Sequence, residues 1–163
     1  MSNNKIEELY FQNTLELLKN NNIDSLLFNI SNLKRLKLDE LTNETLNILI
    51  CNNLTKVSSL VKILTFLKEK DDDFKPYLKI IHSNFKKVIR ENTNNVEDLL
   101  ELTTLLIDNK FNIDKESITS LSKLCTKQYL QSKMTRIIKA NNKEQNTENL
   151  SPTENLQSIK FTM

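Results

Sequence analysis

Few residues in this chain are of the kinds that make and break bonds. His82 is its only histidine, and Cys51 and Cys125 are its only cysteines. A nucleophilic triad needs a base, an acid to orient it and a placed nucleophile, and a zinc site needs three or four ligands. One histidine and two cysteines far apart in sequence suggest neither. His82, beside Ile81 on a helix that follows Pro76, reads as a structural or surface side chain. Both cysteines fall in helical patterns among apolar residues and are expected as buried, reduced thiols. The densest acidic run is Asp71, Asp72 and Asp73. Calcium loops alternate their carboxylates and need a glycine at the sharp turn. This chain has no glycine, so the run reads as a solvated loop between helices. The same absence excludes Gly-rich phosphate loops, GxSxG elbows and GxGxxG turns, whose backbone geometry glycine supplies at least cost. No cofactor, metal or catalytic activity is expected.

Charge offers more. Lys75, Lys79, Lys86, Lys87 and Arg90 follow one another along a single predicted helical segment. A second group comprises Lys115, Lys123, Lys127, Lys133, Arg136, Lys139 and Lys143, seven cations opposed only by Glu116, whereas the whole chain carries +2. Such faces bind phosphates in a salt-dependent, sequence-independent way, or an acidic protein, or serve only to solvate the helix. Tyr77 and Tyr129 flank basic residues and are the candidate base-stacking aromatics. Phe28, Phe66 and Phe85 share helical spacing with leucines and are expected in the core.

These residues must be carried by helices. Three stretches share one pattern: NNIDSLLFNISNLKRLK from Asn21, TKVSSLVKILTFLKEKD from Thr55 and NNVEDLLELTTLLIDNK from Asn94. Superposed, they align Ile23 with Val57 and Val96, Leu26 with Leu60 and Leu99, Leu27 with Val61 and Leu100, and Leu33 with Leu67 and Leu106, at intervals of 34 and 39 residues. That interval suits a two-helix repeat, whose units bury their apolar stripes against neighbours. Asn21, Thr55 and Asn94 are the expected N-caps, with Asn94 and Glu97 forming a capping-box-like pair. A second helix is expected after each: from about Thr42 to Asn52, from Pro76 through Ile89, and from the cap Asp114 through Cys125. A helix over residues 5–20 would complete a leading half-unit. Residues 127–140 extend the last helix or begin another hairpin. From Asn141 the periodicity fails, and a flexible polar tail is expected.

At 163 residues and 38% hydrophobic content the chain suits one domain, and no apolar run approaches the ~20 residues that span a bilayer. The 23 asparagines are what an AT-rich coding sequence produces, and the sequons at Asn29, Asn43, Asn53 and Asn149 are expected by chance in such a chain. The opening MSNNKIEELY is unlike an Arg-rich mitochondrial presequence.

The αα unit with its early Leu-Leu pair (Leu26-Leu27, Leu99-Leu100) resembles the octotricopeptide and heptatricopeptide repeats of organellar RNA-associated proteins, including those that end in a RAP domain. The resemblance covers about residues 20–126 and rests on positions such as Val96, Leu99, Leu100 and Leu106. It implies an αα solenoid, RNA association and a mitochondrial or other organellar site. LKRLKLDELTNETL followed by FKKVI also resembles the small helical bundle at the N-terminus of transcription-elongation factors.

The expectation is an all-α protein of seven or eight helices stacked as antiparallel hairpins, a short solenoid or compact bundle. Residues 1–140 would form it, with units at about 21–54, 55–93 and 94–126, and 141–163 the tail. The expected role is that of a non-enzymatic subunit or adaptor of an intracellular assembly in a reducing compartment, binding a protein partner. The alternative is an RNA-associated helical-repeat protein. The candidate surface for either is Lys75, Lys79, Lys86, Lys87, Arg90, Lys123, Lys127, Lys133, Arg136 and Lys139.

Overall fold

The computed structural model describes residues 3–20, 22–70 and 73–149, with side chains described from 5 to 143 within them. Among the described residues there are nine helices and no strand: α1 (Asn3–Asn20), α2 (Ile23–Arg35), α3 (Asp39–Asn52), α4 (Val57–Glu69), α5 (Lys75–Ser83), α6 (Phe85–Glu91), α7 (Val96–Asp108), α8 (Lys115–Leu124) and α9 (Gln128–Asn149). The all-α expectation holds. The count rises to nine because the helix expected from Pro76 breaks at Asn84 and residues 127–140 form a helix of their own.

The aligned stretches become helices of equal length. α2, α4 and α7 each run 13 residues, starting at Ile23, Val57 and Val96. Their apolar stripes are fully enclosed: Leu26, Leu60 and Leu99 are each 0% exposed. Each such side chain contributes about 1.5–3 kcal/mol before entropy is counted. The N-caps lie one residue later than expected, at Asn22, Lys56 and Asn95. Asn22 accepts a hydrogen bond from Ser25 N at 3.1 Å, the only one of the three caps to do so through its side chain. Asn94 forms no capping box. Asn95 donates instead to Asp98 Oδ2 at 2.9 Å. Thr55 is exposed and precedes the cap, and Asn21 lies outside the described residues.

A chain without glycine must end its helices by other means, and two substitutes recur. Asn53, Asn84 and Asn109 close α3, α5 and α7, donating from Nδ2 to the carbonyls of Leu49, Ile80 and Leu105 at 2.7, 2.8 and 2.8 Å. Lys37 and Lys110 adopt φ of 59° and 71° just past α2 and α7. There the Leu38 and Phe111 amides reach back to the Leu33 and Leu106 carbonyls, each at 3.0 Å. This is the Schellman termination, with lysine where glycine is usual. Lys37 and Lys110 hold the same register in the alignment. The equivalent of both, Asp71, lies outside the described residues.

The chain divides into two compact units, Met1–Glu91 and Asn92–Met163. In unit 1, α2 packs on α3 and on α4, and α3 packs on α1 and on α5. First helix thus touches next first helix, and second touches next second. Tyr77 Oη donates to Asn43 Oδ1 at 2.8 Å, joining positions one 34-residue interval apart. Asn29, 2% exposed, ties α2 to α1 by donating to Thr14 Oγ1 at 2.6 Å and accepting from Asn13 at 3.3 Å.

In unit 2, α7 packs on α8 and α9, which also pack on each other. Asp114 caps α8 by accepting from Ser117 N at 2.9 Å, as expected. Asn141, 2% exposed, accepts from Ile113 N at 3.0 Å and donates to Ile113 O at 2.9 Å. α9 itself continues to Asn149, past the point where the apolar period stops. The boundary expected at Asn141 falls inside a helix because that asparagine supplies a buried contact no hydrophobic pattern reveals. Residues 150–163 lie outside the described residues.

Candidate functional site

The chemically reactive residues are dispersed. His82 is half-buried on α5, and Cys51 and Cys125 are both free. Cys51 is exposed near the end of α3, which corrects its expected burial: at that turn its position has rotated away from the stripe of Leu46, Leu49 and Ile50. Cys125 is buried, donates to Leu121 O at 3.3 Å, and burial pushes its thiol above the ordinary value. Asp73 is exposed and accepts from Lys75 N at 3.1 Å at the start of α5, while Asp71 and Asp72 lie outside the described residues. Among the described residues, no group of three or more His, Cys, Asp or Glu could hold a metal, and no helix is long and apolar enough to cross a membrane. Asn29 and Asn53, two of the sequon asparagines, are 2% and 0% exposed, so a glycan has no access to them in the folded chain.

All ten basic candidates are exposed, five in each unit. In unit 1, Lys75 and Lys79 lie one turn apart on α5, and Lys86, Lys87 and Arg90 lie on α6, beyond the break at Asn84. Arg90 Nε sits 3.7 Å from Glu91 Oε1. Tyr77 is not a stacking platform: it is 7% exposed, bonded to Asn43, and its phenol is raised by burial and then by Asp73.

In unit 2, Lys123 lies near the end of α8 and Lys127 in the link to α9, while Lys133, Arg136 and Lys139 lie on α9. The buried stripe of α9 is Leu130, Met134, Ile137 and Asn141. Tyr129, Lys133 and Arg136 repeat that spacing one residue earlier, which turns them about 100° around the helix, with Lys139 farther round. No acidic residue occurs from Tyr129 to Lys143. Tyr129 is 46% exposed, and its hydroxyl donates to the Glu97 carboxylate, which raises its ionisation above the ordinary phenol value.

Unit 1 presents large apolar side chains to solvent, one of which the sequence pattern placed inside. Phe28, expected in the core, is 70% exposed on α2, and Leu9 on α1 and Leu36 after α2 are 60% and 41% exposed. Phe85 is buried as expected and Phe66 is half-buried. Leu9 lies one turn before Asn13, and Leu36 two turns after Asn29. The Asn13–Asn29 bond joins the two helices between these positions. The alignment itself carried a signal for Phe28: its equivalents are Lys62 and Glu101, both exposed charges. A phenylalanine at an outward register is not there to fill the core.

A cleft of about 550 Å³ opens on the other flank of α1, lined by Glu7, Glu8 and Phe11, by Lys37 and Leu38, and by Asp39, Glu40, Leu41 and Glu44. Its lining carries five carboxylates, three apolar side chains and one lysine.

No protein-family model, curated protein or solved structure matches the chain at a significant level.

Proposed function

We propose that the chain is a non-enzymatic adaptor, a subunit that holds a protein partner against the open edge of its helix stack. The observation that carries this reading is the exposure of three large apolar side chains of the α1–α2 hairpin, Phe28, Leu9 and Leu36, at 70%, 60% and 41%. Within unit 1, α4 lies on α2 and α5 on α3, so helices accept helices along this direction of stacking. The surface that fits the free edge is an amphipathic helix or hairpin of another protein, laid beside α1 and α2 with its apolar stripe on the three side chains. Large exposed aromatic and aliphatic residues on a folded domain are the usual anchors of such contacts.

The test is affinity purification from the source cells after RNase treatment, washed at moderate and then high salt. Wild-type chain should retain a discrete protein set through both washes. The combination Leu9→Ser, Phe28→Ser and Leu36→Ser should lose that set while keeping wild-type helicity and melting temperature. Retention of the same proteins by the triple variant, or loss of all partners on RNase treatment, sinks the reading.

A further inference from the structure

We infer that the exposed face of α9 binds single-stranded nucleic acid, with Tyr129 stacking on a base and Lys133, Arg136 and Lys139 contacting the phosphates. This inference uses unit 2 alone and does not depend on protein docking at the α1–α2 edge.

Three observations carry it. The first is the availability of the cations. Lys133, Arg136 and Lys139 are exposed, and none forms an ion pair with a described residue. The face they occupy contains no acid from Tyr129 to Lys143. A polyanion approaching α9 meets no carboxylate on that helix from Tyr129 to Lys143, the Glu97 carboxylate of α7 at its Tyr129 end is engaged by the Tyr129 hydroxyl, and each phosphate contact releases condensed counterions. From Lys133 to Lys139 the helix rises about 9 Å, which covers about three phosphates of a stacked strand.

The second is the state of Tyr129. Its hydroxyl is committed to Glu97 on α7, and the adjacent Leu130 is buried, so the ring is held at the end of the basic face with 46% of its surface open. With its polar atom occupied, what it offers a ligand is a π-face, and bases stack on such a face regardless of identity.

The third separates nucleic acid from an acidic protein. Protein interfaces are built around a buried apolar centre with a polar rim. The exposed side chains here are Tyr129, Ser132, Lys133, Arg136, Lys139 and Ala140, with no large aliphatic among them. That composition suits a sugar-phosphate chain with a stacked base, and it surrounds its one aromatic ring with cations rather than with the apolar centre that a protein interface buries.

The experiment is fluorescence anisotropy of the full chain with a labelled oligouridine of about 20 nucleotides. Binding should weaken about 20-fold between about 50 and about 200 mM salt, the loss that about three phosphate contacts require. Lys133→Gln, Arg136→Gln and Lys139→Gln together should weaken it at least about tenfold and flatten the salt dependence. Arg136→Gln alone should show the same trend in a minimally altered chain. Tyr129→Ala should weaken binding about 5- to 100-fold, whereas Tyr129→Phe, which keeps the ring and loses the Glu97 bond, should retain it. The Leu9, Phe28 and Leu36 triple variant should bind oligouridine as wild type does, which keeps this test separate from that of partner docking. Four results overturn the inference: no binding at low salt, binding unchanged in the α9 triple variant, loss that follows Lys75, Lys79, Lys86 and Lys87 instead, or polyglutamate bound as tightly and unaffected by Tyr129→Ala.

Discussion

Both units use a buried asparagine to lock helices together, but they lock different atoms. In unit 1, Asn29 bonds the side chains of Thr14 and Asn13, and Asn43 bonds the hydroxyl of Tyr77. In unit 2, Asn141 bonds both the amide and the carbonyl of Ile113. A side chain that loses its partner can rotate or take up water, whereas a buried backbone group cannot leave its position. The side-chain pins of unit 1 adjust the fit of helices already held by leucines, while the clamp of unit 2 fixes the path of the chain into α8. Surface follows the same division. Both units expose five of the ten basic candidates, but the exposed leucines and phenylalanines lie in unit 1, and the cationic helix face without an acid is α9 in unit 2.

The largest test of this contrast strikes the cores. Leu60→Asp in unit 1 and Leu99→Asp in unit 2 each bury a carboxylate at a site that is 0% exposed. Each should cost more than about 4 kcal/mol, comparable to the whole stability of a small domain. Circular dichroism should show lost helicity, and amide exchange should show protection failing first in the unit that carries the change. Wild-type helicity and melting temperature in a purified Leu99→Asp chain would contradict the packing described.

Next in size are the pins. Asn141→Ala should cost about 2–4 kcal/mol, because it removes two hydrogen bonds made to the buried backbone of Ile113. Asn29→Ala should cost nearer about 1 kcal/mol, since its partners are side chains. Urea denaturation of the two variants decides the matter, and equal losses would erase the distinction.

Smaller and opposite in sign are the helix ends. Lysine at positive φ is held where glycine sits more comfortably, so Lys37→Gly and Lys110→Gly should each stabilise by about 0.5–1 kcal/mol. A fall in melting temperature for both would show that the two terminations draw on the lysine side chains.

The smallest effect is in pH. Burial raises Cys125 in unit 2 above its ordinary 9.0, and burial with Asp73 raises Tyr77 in unit 1 above its ordinary 10.0. In both the folded state holds the proton more firmly, so the contribution is complete below the ordinary value and declines as pH rises above it. Unit 2 should therefore soften at lower alkaline pH than unit 1. Amide exchange across an alkaline series should show that order, and Cys125→Ala should remove the earlier step.

Much of this was legible in the residues. The first helices were plain because Leu26, Leu60 and Leu99 recur with their neighbours at helical spacing, and burial follows that stripe directly. The second helices were less so. Asn84 interrupts α5 and α6 through one side-chain bond to Ile80, and nothing in the string distinguishes it from the other asparagines of the chain. Asn141 was misjudged for the same reason: its role depends on Ile113, 28 residues away. The caps slipped by one because Thr55 and Asn94 have the right chemistry at the wrong step of the turn. Of the surfaces, the cationic side chains of α9 were readable from charge alone, whereas the exposure of Phe28 was hidden by treating every helically spaced phenylalanine as core.

The asparagines that close α3, α5 and α7 also decide how this molecule ages. Asparagine deamidates when the following backbone nitrogen attacks its side-chain carbonyl, fastest when that neighbour is glycine. Here the neighbours are Leu54, Phe85 and Lys110, bulky residues that hinder ring closure. Were the reaction to occur at Asn53, Asn84 or Asn109, the amide donor would become a carboxylate facing a carbonyl at the negative end of a helix, trading a hydrogen bond for repulsion. A chain that ends its helices with asparagine and contains no glycine thus keeps these structural amides in sequence contexts that slow their loss.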